Sequence, residues 1–180
     1  MVHNFAKEYL DMIQAGDEIV SQKVRSVYER ECAWMDNPPA DFPFYFDPER
    51  GNRHIEFIER FCKLSQGKFA GQNIKLEPFQ KAKIQMVFGW VEKDTHFRRF
   101  REVDDLRGRK CGKSTETAAV EWDAALNDNE MGAQIYCTAN KKDQAKIIFN
   151  ECVNMMKHSP ALKAVAKKYE FDNEYPDEKM

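Results

Sequence analysis

The sequence predicts an α/β fold: a helical N-terminal region, then a parallel sheet flanked by helices and incomplete at its C-terminal side. Three observations predict it. Apolar residues recur at helical spacing through most of the chain before position 90. A Gly-Lys-Ser run at 112–114 opens a strongly helical segment. Two short apolar runs, 97–106 and 133–139, bracket that segment as strands would, which gives the order strand, loop, helix, strand, helix.

The elements follow in order. Residues 4–35 are helical in pattern: Ala6, Leu10 and Ile13 mark one face, Gly16 a break, and Ile19, Val20, Val24, Val27 and Tyr28 a second face. Residues 36–51 hold four prolines and four aromatics and read as an ordered, extended connector, because Phe42, Phe44, Tyr45 and Phe46 must pack somewhere. Residues 53–64 predict a helix with Ile55, Ile58 and Phe61 inward, 67–74 a turn, and 78–90 a helix with Pro78 in its first turn. The strand at 97–106 is a weak one, since Asp104 and Asp105 interrupt it. Residues 114–126 form a helix with Ala118, Ala119, Trp122 and Ala125 on one face, and 133–139 suit a buried parallel strand. Residues 141–157 are amphipathic through Ala145, Ile148, Phe149, Cys152, Val153 and Met156. The expected organisation is a helical region over 1–95, a partial nucleotide-binding core over 96–170, and a loose, charged tail over 171–180.

The run Arg107-Gly-Arg-Lys-Cys-Gly-Lys-Ser-Thr115 reads as a phosphate-binding loop of the P-loop NTPase type. Nucleotide phosphates need backbone N–H donors, a point positive charge and a hydroxyl for Mg²⁺. Gly112 permits close backbone approach, Lys113 supplies the charge, and Ser114 supplies the hydroxyl. Arg107, Gly108, Lys110, Cys111 and Thr115 complete the cofactor-binding set, with ATP and Mg²⁺ as the expected cofactors. The usual pattern, G-x-x-x-x-G-K-[ST], has a glycine where this chain has Arg107. A chance Gly-Lys-Ser at a helix start is the bland alternative.

Composition bounds the rest. A chain of 180 residues is long enough for one domain with a real core, at 42% hydrophobic content. Charged residues make up 32%, yet the net charge is −2, so any nucleic-acid contact must use a local basic patch. Arg98, Arg99, Arg101, Arg107, Arg109 and Lys110 form the one such stretch, which is either a track for DNA phosphate or for a neighbouring subunit's nucleotide, or a solvated strand face. Five cysteines lack metal-ligand spacing and read as reduced thiols. The four histidines are scattered and give neither a zinc pattern nor a triad. Met155 and Met156 read as core. No apolar stretch is long enough to cross a membrane, and no signal-peptide core begins the chain.

The run RKCGKS, a helix, then YCTANKKDQA and a helix ending near HSPAL resemble the large terminase subunit of tailed bacteriophages. The segments AKEYLDMIQAGDEIVSQKV, GQNIKLEPFQKAKIQMVFGW and FRRFRE agree, so the resemblance runs from about Tyr9 to Leu162. It implies the N-terminal ATPase part of a motor that packages viral double-stranded DNA. It also implies partners: a portal protein, a small terminase subunit, and further copies of the chain in a ring, in the cytoplasm of a bacterial host. In that family the loop often reads R-K-N-G-K-S, and Cys111 replaces the asparagine. The resemblance gives Gln80 an adenine-reading role, against a plain solvated helix glutamine. It gives Arg109 the role of sensing or stabilising the γ-phosphate beside the catalytic Lys113, against a surface arginine, with Arg107 and Lys110 as competitors. Tyr136–Asn140 and Gln144 become a coupling element, against ordinary strand-end packing with Asn140 as a helix cap.

Hydrolysis also needs a carboxylate for Mg²⁺, normally from an apolar strand ending in Asp-Glu. The late Asp177-Glu178 follows polar residues and proline and reads as solvated tail. The sequence therefore predicts part of a terminase, with turnover only in a completed protein. A different class of function stands beside it: a non-catalytic remnant or assembly module that docks a portal or small terminase subunit. A small P-loop kinase fits less well, since nothing looks like an acceptor site or lid.

Overall fold

A computed structural model describes residues 2–128 and 133–168. The readings made for the tail at 171–180, including Asp177 and Glu178, lie outside the described residues. The observed order is α1 (Phe5–Ala15), α2 (Gln22–Asp36), β1 (Phe44–Phe46), α3 (Pro48–Phe61), a 3₁₀ turn at Gly67–Phe69, α4 (Pro78–Gly89), β2 (Trp90–Glu92), α5 (Lys113–Asn127), α6 (Lys142–His158) and α7 (Pro160–Lys168).

The helices begin where the side chains dictate. Asn4 accepts from the Lys7 N–H, Ser21 from Val24, and Asp47 from Arg50, each satisfying a donor that the first turn leaves open. Pro48 and Pro78 sit at the first positions of α3 and α4, where a missing N–H costs nothing. Ser159 separates α6 from α7: its Oγ accepts from the Leu162 N–H and donates to the Phe61 carbonyl at 2.6 Å, tying the last helices back to α3.

Helix α4 is the axis of the packing. Ile84 and Phe88 enter a core with Ile55, Ile58, Ala118, Met155 and Leu162. Ala82 and Met86 enter a second core with Ala6, Tyr9, Ile13, Tyr28 and Trp90. A helix apolar on opposite faces has to be central. Helices α3 and α4 cross closely at Gly51, where a Cβ would sit 2.7 Å from the Gln85 carbonyl oxygen. Gln85, fully buried, accepts from the Ala6 N–H and donates to the His3 carbonyl and Asn52 Oδ1, which locks α1 onto this crossing.

The parallel sheet expected around the loop is not formed among the described residues. Their one sheet is a two-stranded antiparallel pair, β1 with β2, in the register Phe44↔Glu92, Tyr45↔Val91 and Phe46↔Trp90. Residues 97–106 form no strand beyond one bridge, Val91↔Arg98, and residues 133–139 form none. The physical reason is the lack of ladder neighbours. Leu106 is 95% and Tyr136 75% exposed, so the apolar side chains of both runs have no sheet face to enter. The aromatic connector, in contrast, supplies β1 and packs Phe42 and Phe46 edge-on or tilted against Trp90.

Candidate functional site

Helix α5 starts at the glycine loop. Gly112 is its N-cap in the left-handed region, φ 69° and ψ 13°, which a side chain would strain. No side chain caps the helix, so its first N–H groups are left for an external acceptor. Lys110 also takes a positive φ of 65°, and the loop therefore turns twice within three residues. Lys113 folds back over it and donates from Nζ to the Arg107 carbonyl at 2.6 Å. Cys111 and Gly112 are exposed, as are Gly108, Arg109 and Lys110. A concave turn of backbone with one ammonium and open helix N–H groups fits a phosphate chain.

Ser114 and Thr115 line a cleft of about 520 Å³ between α5, α6 and the segment after α3. There Glu151, buried, accepts at Oε1 from Thr115 Oγ1 at 3.0 Å and Ser65 Oγ at 2.8 Å. Asn150 and Asn154 line the same cleft. The Ser114 hydroxyl, half-buried at its mouth, fits one position on a hydrated Mg²⁺. Among the described residues no three His, Cys, Asp or Glu side chains converge as a protein-only metal site.

The cations separate sharply. Arg107 is bound at both ends: Nε and Nη2 donate to Asp105 at 2.7 Å each, and Nη2 lies 2.6 Å from Glu116 Oε2. Lys83 Nζ bridges the same two acids, 2.5 Å from Asp105 and 2.6 Å from Glu116 Oε1. The latter is an ion contact whose angle falls outside hydrogen-bond geometry, which leaves Oε1 without a true hydrogen bond. Partial burial raises the Asp105 carboxyl, but its bonds to Lys83 and Arg107 outweigh this and hold it below the ordinary range. Burial likewise opposes the Arg107 charge, and Asp105 and Glu116 more than restore it.

Gln80 is buried, not solvated. Its Oε1 accepts from the Glu77 N–H at 2.8 Å, closing the first turn of α4, and its Nε2 donates to Glu116 at 2.7 Å. One proton and one lone pair of the amide remain uncommitted in these bonds. The basic stretch is not one track. Arg98 pairs with Asp128 and lies over Phe88, while Arg99 pairs with the fully buried Glu31 at 2.5 Å inside a box of aromatic rings. Arg101, Arg109 and Lys110 stay exposed. Farther along, Tyr136 is exposed and bonded to Gln134; Lys141, not Asn140, occupies the N-cap of α6; and the Gln144 N–H bonds the Lys141 carbonyl.

Sequence reasoning missed Lys83, Glu116 and Glu151. Lys83 lies three residues after Gln80, hence on the same helix face, and that spacing was the one available signal. His54 was passed over as well. It is buried against Phe88 and bonds Asp123 at 2.6 Å, which fixes α3 to α5.

A family described as "Terminase large subunit, ATPase domain" matches residues 78–174, more than half of the chain, and the chain belongs to that family. It is similar to the "Terminase, large subunit" of Enterobacteria phage HK97, with 33% identity over 117 residues. That match covers 64% of this chain and 22% of the relative, so the chain spans about a fifth of the relative's length. No solved structure matches it. No helix among the described residues is long and apolar enough to cross a membrane.

Proposed function

We propose that this chain is the nucleotide-binding part of a phage DNA-packaging ATPase and binds ATP with Mg²⁺ at the 107–115 loop. The observation that supports it best is Lys113, projecting from a helix start whose N–H groups are uncapped and folding over a loop that turns at Lys110 and Gly112. Gly108, Lys110, Cys111 and Gly112 present backbone to the phosphates, with Arg107 closing the loop's base and Thr115 the first helical turn. Lys113 supplies the charge. Ser114 takes the metal, which when bound shields the phosphate charge. Arg109, exposed and without a charged partner among the described residues, is the better placed of the loop arginines for the γ-phosphate, because Arg107 is held by two acids. Gln80 offers its remaining proton and lone pair to the adenine edge.

In the longer protein this unit would act with double-stranded DNA, a portal protein, a small terminase subunit and further copies of itself in a ring, in the host cytoplasm. Arg101, Arg109 and Lys110 are the exposed cations left for DNA phosphate. Strands from the remainder would give 97–106 and 133–139 the ladder partners of a parallel P-loop sheet.

The test is titration of the full chain with a fluorescent ATP analogue and Mg²⁺, for wild type and Lys113→Ala. Loss of a charge-assisted contact worth about 1.5–3 kcal/mol predicts ~10- to ~100-fold weaker binding. Equal affinity in both proteins refutes the site. Binding to neither favours the non-catalytic assembly module.

A further inference from the structure

We infer that Lys83, Asp105, Arg107 and Glu116 form a positioning clamp that sets the phosphate loop through the Arg107 backbone, an inference that builds on the nucleotide reading above. The four side chains make a closed ring of alternating charge. Lys83 Nζ touches Asp105 Oδ2 and Glu116 Oε1, and Arg107 Nη2 touches Asp105 Oδ2 and Glu116 Oε2, all within 2.5–2.7 Å. The ring draws one residue from each of α4, the extended segment before the loop, the loop itself, and α5. It is neutral in sum, so a phosphate nearby gains little by pulling Arg107 out. Side-chain exposures of 3% for Glu116 and 14% for Arg107 place it beyond the range where solvent makes ion pairs negligible.

Two further contacts turn this ring from a fastening into a positioning device. Arg107 stands where the usual loop pattern has its first glycine, and its guanidinium is held by Asp105. With that side chain fixed, its carbonyl is fixed too, and this carbonyl is the acceptor for Lys113 Nζ. The same guanidinium reaches the Cys111 carbonyl from Nη1 at 3.4 Å, near the other end of the loop. Glu116 also holds Gln80 at 2.7 Å. Lys113 Nζ carries three protons, so it can donate to a phosphate while the Arg107 carbonyl steadies it. The clamp keeps the loop in shape as the phosphate enters, and it links the loop to the amide proposed for adenine. Arg107 is thus a positioning residue, and its neighbours in the ring act through it.

The experiment measures NMR order parameters of the 107–112 amides in the full chain without nucleotide, combined with titration of a fluorescent ATP analogue. The proteins are wild type, Lys83→Met, Glu116→Gln and Lys83→Arg. The clamp predicts that loop order parameters fall from the rigid range, about 0.85, to below about 0.6 in Lys83→Met and Glu116→Gln, with α4 and α5 unchanged. It predicts roughly 5- to 10-fold weaker nucleotide binding in both, and recovery to within ~2-fold of wild type in Lys83→Arg. A purely structural role would instead loosen α4 and α5 together, and that pattern overturns the inference. Unchanged loop order parameters in Lys83→Met overturn it as well. If wild type takes up no nucleotide, the functional reading fails, while the order parameters still decide the clamp.

Discussion

Arg99→Ala separates a structural arginine from a DNA-binding one. In the sequence Arg99 belongs to a basic stretch suited to phosphate contact. In the structure it points inward, with Nη1 2.5 Å from Oε2 of Glu31, a fully buried carboxylate. Trp34, Phe42, Phe44, Trp90 and Phe100 surround its guanidinium at 5.0–5.5 Å. Removing one partner of a buried ion pair leaves the other charge stranded, at about 3–5 kcal/mol. Arg30, half-exposed, still reaches Glu31 Oε1 at 2.8 Å and offsets part of that cost. The lost cation–π contacts add about 0.5–1 kcal/mol. A net of about 3–4 kcal/mol, at ~2–4 °C per kcal/mol for a chain of this size, lowers Tm by roughly 10 °C. Circular dichroism melts of Arg99→Ala, Glu31→Gln and the pair Arg99→Met with Glu31→Met provide the assay. The double variant should lose less than the sum of the single ones, because apolar side chains fill the box without a stranded charge. A Tm within about 2 °C of wild type in Arg99→Ala, together with weaker DNA binding, refutes the reasoning and restores the DNA track.

Three more outcomes follow from the geometry. Gly51→Ala gains about 1 kcal/mol in helix propensity but forces a Cβ to 2.7 Å from the Gln85 carbonyl and 2.8 Å from its Cα, so a net loss of about 1–3 kcal/mol is expected in urea unfolding. Because the Asp105 carboxyl is held below its ordinary value of 3.8, the clamp's contribution is fully present above that pH and fades as pH falls through the lower folded value. Order parameters of the loop amides should therefore stay flat from pH 7 to about 4.5 and fall only in stronger acid. Burial pushes the Cys32 thiol to about 11 and the Cys62 thiol to about 12, while Cys111 is exposed. A disulfide reagent at pH 8 should modify Cys111 well before those two, ATP should slow that reaction, and mass mapping of the first labelled peptide checks both.

What the sequence disclosed was local. Pro78 and the apolar spacing that follows it place α4 within a residue of its observed end, and Gly112 with Lys113 places the start of α5. These signals act over one helical turn. The strands expected at 97–106 and 133–139 are not formed among the described residues, because a strand exists only through a neighbour. Asp104 and Asp105 already weaken 97–106 as a strand, and a side chain of that run that turns inward is Arg99, whose partner Glu31 lies 68 residues earlier. Gln80 shows both limits together. The resemblance alone singled it out; its bond to Glu77 is local to the first turn of α4, whereas its bond to Glu116 depends on a fold that brings α4 to α5.

The distribution of contacts along α5 bears directly on how such a site can work. Past its first turn the helix is fixed from several sides. Ala118 and Ala119 are fully buried, Asp123 bonds His54, and Trp122 Nε1 donates to the Cys152 carbonyl. The first turn is fixed too, through Thr115 to Glu151 and Glu116 to the charge ring. Immediately before it, residues 108–112 are all exposed and are spanned by two contacts, both involving Arg107. The helix N-terminus is thus a rigid electrostatic anchor, and the loop is a strap whose one firm attachment is Arg107. Lys113 Nζ has three protons, so a phosphate can be met there while the Arg107 carbonyl stays bound. A ligand then enters a loop held at Arg107 and a helix start held at Thr115 and Glu116, and neither has to move to admit it.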